Sequence, residues 1–455
     1  MSDHDLEILR PNDAGYDEAR RLHNGLIDKR PALIARCRTA ADVAAAVARA
    51  RKDSLEISVR GGGHNVAGKA VTEGGVMIDL SPMKQIVVDP GARTVRAQPG
   101  LTWGEFNIAT ATHGLATTGG IVSTTGISGL TLGGGYGWLQ GKYGLSVDNL
   151  LAAEVVTADG HVLDASEHDN ADLFWALRGG GGNFGVVTSF TYRLHPVTTV
   201  LGGSLAFPLT GADAVIDAYR RLTEEAPDEL GVQCGLLSPD PSTKVAAIVV
   251  CHCGDLDQAE ADIKSVRQLD TPLVDSIGPR SYVDQNRQID ESFPPGALNY
   301  WKSAFFTDLS DEAARVLIDQ FEQCPSPMSF CVLESMGGAA SRVASAATAY
   351  PHREPGHNLL LLSQWADPAD TEPNIAWTRE TFEALRPHMA KRRYVNYLSA
   401  DDAGYTRDAY GSNYERLVEL KRRYDPANIF HLNQNIDPSV LASEPSDAAP
   451  EQERP

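Results

Sequence analysis

RGGGHNVAG, residues 60–68, is the stretch from which the rest of the chain is read. The segment before it, EISVR, is short, β-branched and ends at Arg60, which predicts a strand over 56–60. Three glycines, a histidine and an asparagine follow. Glycine reaches left-handed backbone conformations at no steric cost and lets N–H groups approach a bound anion closely. A histidine directly behind such a run is carried to the place where backbone and ligand meet.

Two more glycine clusters lie downstream, Gly133-Gly134-Gly135 with Gly137, and Gly179 to Gly182 with Gly185. A single run reads as a flexible turn, whereas three in one region point to a large bound anion. The common nucleotide motifs fail. Gly180 to Gly185 spells G-x-G-x-x-G, but the following VVTSFTYRL is strand-like, and a Rossmann turn has to open a helix. Gly141-Lys142 is followed by Tyr143, so it is no phosphate-binding P-loop. A dinucleotide held by loops between strands, outside a Rossmann fold, fits better.

Charge and composition narrow the partners. Among 455 residues, 60 Asp and Glu against 40 Lys and Arg give a formal charge of −20. No basic block interrupts the acidity, which argues against nucleic acid and anionic membrane as partners. The first residues carry neither a basic region nor an apolar core of a signal peptide, and no apolar run approaches ~18 residues, so a cytoplasmic location is expected. Cys251-His252-Cys253 looks like a metal fragment. No second pair completes a ligand set, and the surrounding VAAIVVCHCGD reads as a buried strand, so no metal is expected.

Along the chain, TAAD at 39–42 starts an Ala-rich helix with a capping-box pattern. VMIDL, QIVVD and TVRAQ read as short strands, TWGEFNIATATHG as a helix closed by Gly114, and residues 151–166 as a hairpin about Ala158-Asp159-Gly160. After Pro196 the glycine runs stop. KVAAIVVC and NLLLLSQW read as strands and IAWTRETFEALRPHM as a helix. From Tyr394 the sequence becomes polar and aromatic, and the last fifteen or so residues have too little apolar content to fold.

RGGGHNVAG, GGIVSTTGISGLTLGGGYGWLQGKYGLSVDNL (119–150), LFWALRGGGGNFGVVTSF (173–190) and YDPANIFHLNQNI (424–436) together resemble the flavoproteins of the vanillyl-alcohol-oxidase and p-cresol-methylhydroxylase superfamily. Within it the chain is most similar to the berberine-bridge-enzyme-like oxidases. The resemblance spans nearly the whole chain in order. It implies an α+β, two-domain PCMH-type FAD-binding fold. The FAD domain is expected over 1–196, an antiparallel-sheet substrate domain flanked by helices over 197–390, and a returning segment over 391–440, with 441–455 disordered.

For the site, the resemblance implies FAD bonded through its 8α-methyl carbon to His64. Relatives with a second, cysteinyl link carry a cysteine where Val122 stands here, so a single linkage is implied. The cofactor contacts implied are Arg60, Gly61, Gly62, Gly63, His64, Asn65, Gly119, Val122, Thr125, Gly126, Gly129, Leu130, Gly133, Gly134, Gly135, Gly137, Val187 and Asn433. Val122, Thr125 and Leu130 also match a small apolar oxygen pocket of oxygenating relatives. Tyr394 or Tyr397 is the implied proton acceptor, and Gln364 either faces the substrate or bonds to backbone in the core.

The expected activity is oxidation of an alcohol, hemiacetal or amine carbon by hydride transfer to FAD, which performs the difficult chemistry, with O2 as acceptor and H2O2 as product. An oxygenating enzyme working through a flavin N5-oxide, or a dehydrogenase with another acceptor, is the alternative. The substrate itself is not legible, because it is met by the region with the fewest motifs.

Overall fold

The computed structural model describes residues 6–440, so the expectation for 441–455 falls outside the described residues. Three sheets organise the chain. The first has the order Glu7–Leu9, Leu33–Arg36, Val76–Asp79, Ile57–Arg60, and its last three strands are parallel. Helix Ala40–Asp53 makes the crossover. The Thr39 hydroxyl accepts from the Asp42 N–H and the Asp42 carboxylate accepts from the Thr39 N–H, which closes the capping box foreseen in TAAD. Its buried residues, Val43, Ala46, Val47 and Ala50, recur at helical spacing and pack on this sheet. Strand Ile57–Arg60 therefore delivers the glycine-histidine loop at the carboxyl edge of a parallel sheet, the edge where such sheets bind ligands.

The second sheet is wholly antiparallel, with the order Ile86–Asp89, Thr94–Ala97, Val186–Arg193, Leu150–Val156, Val162–Ser166. Its last two strands are the foreseen hairpin, turned where Gly160 takes φ 85°. A strand, not a helix, follows Gly185, which is why the G-x-G-x-x-G string is not a Rossmann turn.

The third sheet has eight antiparallel strands, all between Thr199 and Trp365. Period-2 alternation gives it two apolar faces. Cys331, Leu333, Leu359 and Leu361 join helices Ala212–Glu225, Asp311–Glu322 and Thr371–Leu385 in the largest core. The alternate residues Phe330, Val332, Glu334 and Leu360 look the other way, onto the cavity described below. Cys251 is fully buried at the end of strand Thr243–His252, and the ring of His252 meets Asp262 at 3.0 Å, so both are core residues.

The edge strand of this sheet, Leu298–Phe306, is covered by the returning C-terminal segment. The Ser399 hydroxyl donates to the Trp301 carbonyl and accepts from the Trp301 N–H. Lys302, buried, is ion-paired with Asp401 at 2.9 Å and with Asp402. The segment that begins at Tyr394 is thereby fixed to the sheet.

Candidate active site

One cavity gathers the motifs. Its floor is the loop leaving Arg60, the 120–130 tract, the turn at Gly181 to Gly185 and the C-terminal segment. Its roof is the open face of the third sheet. Gly61, Gly62, Gly63, His64 and Asn65 line it, as do Val122, Thr125, Gly126, Gly129 and Leu130, and Val187 with Asn433. The two loops of the floor touch backbone to backbone. A Cβ placed on Gly62 would stand 2.5 Å from the Gly126 nitrogen, and one on Gly126 would stand 2.5 Å from the Gly62 nitrogen. Lys69 is the one Lys or Arg among the lining residues, and its Nζ donates to the Asn433 carbonyl at 3.0 Å.

Other foreseen contacts lie elsewhere. Arg60 turns away and its guanidinium donates to the Ala19 carbonyl. Gly119, Gly133, Gly134, Gly135 and Gly137 do not line the cavity. They let chain segments pass each other: a Cβ on Gly137 would fall 1.9 Å from the Gly119 carbonyl oxygen, and one on Gly133 would strike the Asn396 side chain. The middle glycine run is thus a packing device, whereas the first and third runs face the cavity. Gln364 shares the parity of Leu360 and Leu362 but is absent from the lining. Its Nε2 donates to the Ser292 carbonyl at 3.1 Å, so it is the core residue of the two alternatives.

The two tyrosines occupy different positions. The Tyr394 hydroxyl accepts from the N–H groups of Gly135 and Tyr136 and from Asn396 Nδ2, at 3.1, 3.4 and 2.9 Å. Its ring stacks on Tyr136, centroid to centroid 4.1 Å. Burial raises its phenol to about 12 in spite of these donors. Tyr397 donates its hydroxyl proton to Glu334 at 3.0 Å, and burial beside that carboxyl holds the phenol well above its ordinary value.

Glu334 is the residue that sequence reasoning missed. It lies on strand Phe330–Met336, is 4% exposed, and lines the cavity beside Gln233, Val332 and Tyr397. Asn358 Nδ2 donates to its other oxygen at 2.7 Å. Burial pushes its carboxyl up to about 7, against the lowering effect of the Asn358 and Tyr397 hydrogen bonds. The signal in the sequence was a lone acid at the outward parity of an apolar strand, FCVLESM. Apart from Glu334 and Gln233, whose Nε2 donates to a Glu334 oxygen at 3.4 Å, the roof is largely apolar, with Ile289, Phe293, Trp301, Phe330 and Leu360.

His64 lies at the other end of the constellation. Its Nε2 is buried without a protein partner, and burial, with the neighbouring His23, lowers the imidazole to about 3. It is a neutral ring with an available nitrogen. That orphaned nitrogen, the glycine-lined floor and a single lysine form a donor set that fits a flavin dinucleotide.

Comparison with known proteins agrees with this geometry. A family described as FAD binding domain matches residues 31–166, and one described as berberine and berberine like matches residues 393–437. The (R)-6-hydroxynicotine oxidase of Paenarthrobacter nicotinovorans is 35% identical over 457 residues, covering 95% of this chain and 96% of that one. The tetrahydroberberine oxidase of Berberis wilsoniae is 26% identical, covering 85% and 82%. The solved 6-hydroxy-D-nicotine oxidase of Arthrobacter nicotinovorans superposes with a TM-score of 0.88 at 33% identity over 95% of this chain and 98% of that one. A chitooligosaccharide oxidase shares the fold at TM-score 0.84 and 24% identity.

Proposed function

From the premise that this chain belongs to the berberine-bridge-like FAD-linked oxidases, we propose that it oxidises an alcohol, hemiacetal or amine carbon of a small, largely apolar molecule, with Glu334 as the proton acceptor. FAD in the cavity supplies the hydride acceptor and the path of the electrons to O2, which leaves as H2O2. His64 holds the cofactor through a single covalent bond, since Val122 offers no nucleophile for a second. Val122, Thr125 and Leu130 border the same space from the floor.

The chain's own task is to place the substrate and take one proton. Hydride departure from carbon is eased when the adjoining O–H or N–H loses its proton. Glu334 is the carboxylate that faces the roofed space, and burial keeps it near neutrality, where a base both accepts and releases protons readily. Tyr397 orients it by donating to one oxygen while Asn358 donates to the other. Both tyrosine phenols are raised, so at neutral pH they stay protonated and are not the base. Tyr394 instead fixes the turn at Gly135 against Asn396. The apolar roof excludes water and selects for a hydrophobic or aromatic body on the substrate.

The same proposal divides the chain at 196 and 390, with residues 391–440 returning to complete the floor. The cytoplasmic location belongs to it as well. The observation that carries the reading is Glu334, a buried acid facing a motif-lined cavity. The test is an anaerobic screen of alcohols, sugars, amines and phenols. One class should bleach the yellow flavin, and air should restore the colour with about one H2O2 per flavin. A colour that no class bleaches, or that does not return in air, contradicts the reading.

A further inference from the structure

An N-terminal segment outside every motif is stitched to the His64 loop. The His23 N–H donates to the Gly63 carbonyl at 3.0 Å, and Asn24 Nδ2 donates to the Val66 carbonyl at 2.8 Å. The same Asn24 amide donates to the Asn299 carbonyl at 2.9 Å and accepts from the Asn299 N–H. The Gly25 N–H reaches the Ala297 carbonyl at 2.8 Å, and a Cβ on Gly25 would stand 2.1 Å from the Gly296 oxygen. Residues 23–25 are thus wedged between the loop at 63–66 and the edge of the third sheet.

The wedge presents an aromatic face. The His23 ring lies on the His64 ring with centroids 4.1 Å apart and planes 14° from parallel. Stacked faces cannot share an in-plane proton, so His23 does not act on the His64 nitrogen as a base. Its effect is on orientation. The χ2 torsion of histidine is broad, and an unsupported imidazole sweeps its in-plane lone pair through a wide arc. A ring laid on its face removes that freedom and leaves the nitrogen edge open. Among the described residues the other aromatic ring near it, Phe293, is 6.3 Å away and tilted by 43°.

We propose that His23 is the positioning residue for covalent attachment of FAD, setting the plane of the His64 imidazole so that its free nitrogen meets the 8α-carbon. This rests on the single covalent linkage proposed above. In that reaction a nitrogen–carbon bond forms and one C–H bond of the 8-methyl group breaks. That proton and the imidazole N–H proton, with two electrons, end on the ring system, and O2 then takes both electrons and protons as H2O2. No further reactant is needed.

The test uses intact protein expressed as wild type, His23→Ala, His23→Phe and His64→Ala. Two quantities are read, total flavin per protein and the fraction that stays with the acid-precipitated polypeptide during incubation with added FAD in air. Wild type should be linked and His64→Ala unlinked. His23→Ala should bind as much total flavin but attach it about three- to tenfold more slowly, the range that a stacked aromatic pair is worth. His23→Phe, which restores a flat face without a nitrogen, should recover the wild-type rate. Attachment in His23→Ala as fast as in wild type overturns the inference while leaving the linkage standing. Loss of total flavin in His23→Ala overturns it too, because the segment then serves the cradle and not the ring. Failure of His23→Phe to recover overturns the role of the stacked face. Wild type that releases its flavin in acid overturns the linkage itself.

Discussion

Glu334 makes the sharpest predictions at the scale of single residues. A base must be ionised to act, and burial places this carboxyl at about 7, so the rate of flavin reduction should rise with pH through that value. Glu334→Gln should lower anaerobic reduction by about 10²- to 10⁴-fold and abolish that limb. Tyr397→Phe deletes a hydrogen bond that lowers the Glu334 carboxyl, so its limb should move to higher pH with a smaller loss of rate. The same group has a stability signature. Its folded-state value is raised above the unfolded one, so the native state resists ionisation, and stability falls as pH climbs from the unfolded value to about 7. Melting curves of Glu334→Gln should therefore gain on those of wild type as pH rises. His64 stood out in the sequence because it sits directly behind three glycines, and its role was implied by the resemblance that the surrounding motifs carry. Glu334 did not, since one acid in a strand looks like a solvated edge until the opposite face of the sheet is known to be covered. The run at Gly133 to Gly137 misleads for the converse reason, since glycines that let two backbones cross look, in sequence, like glycines that cradle an anion, and nothing in the motif shows that Arg60 turns to the Ala19 carbonyl.

At the scale of elements, the loops at 61–65 and 122–130 act as one unit because their backbones touch at Gly62 and Gly126. A methyl group at Gly62 has only backbone atoms to push against. Gly62→Ala should thus cost about 1–3 kcal/mol, the ordinary price of overpacking, and lower flavin content together with melting temperature. Helix Ala40–Asp53 and the hairpin at 150–166 were readable because capping residues and turn glycines are local signals. The strands after residue 199 were readable singly, since alternation reveals a face. Their order in the sheet was not, because pairing between strands such as Leu230–Asp240 and Phe330–Met336 joins segments about a hundred residues apart and leaves no local trace. That unseen pairing sets Gln233 beside Glu334.

At the scale of the molecule, the site exists only where three parts meet: the parallel sheet that delivers His64, the large sheet that delivers Glu334, and the returning segment that delivers Tyr397. The change of texture after Pro196 and again near Tyr394 made this division visible, but not the clasp that closes it. Lys302 with Asp401 and Asp402 binds the returning segment to the edge strand, and Lys302→Met leaves Asp402, 3% exposed, without its cation. Loss of one partner of such a buried pair should destabilise by about 3–5 kcal/mol in thermal or urea unfolding, and Tyr397 should lose its fixed distance to Glu334. In the proposed reaction this assembled roof removes the proton. That step is tested most directly by the rate of anaerobic flavin bleaching against pH, in wild type and Glu334→Gln, with whichever substrate class bleaches the enzyme. The wild-type rate should climb through pH about 7, and the variant should bleach slowly and independently of pH. A variant that bleaches as fast as wild type with the same pH profile contradicts proton removal by Glu334.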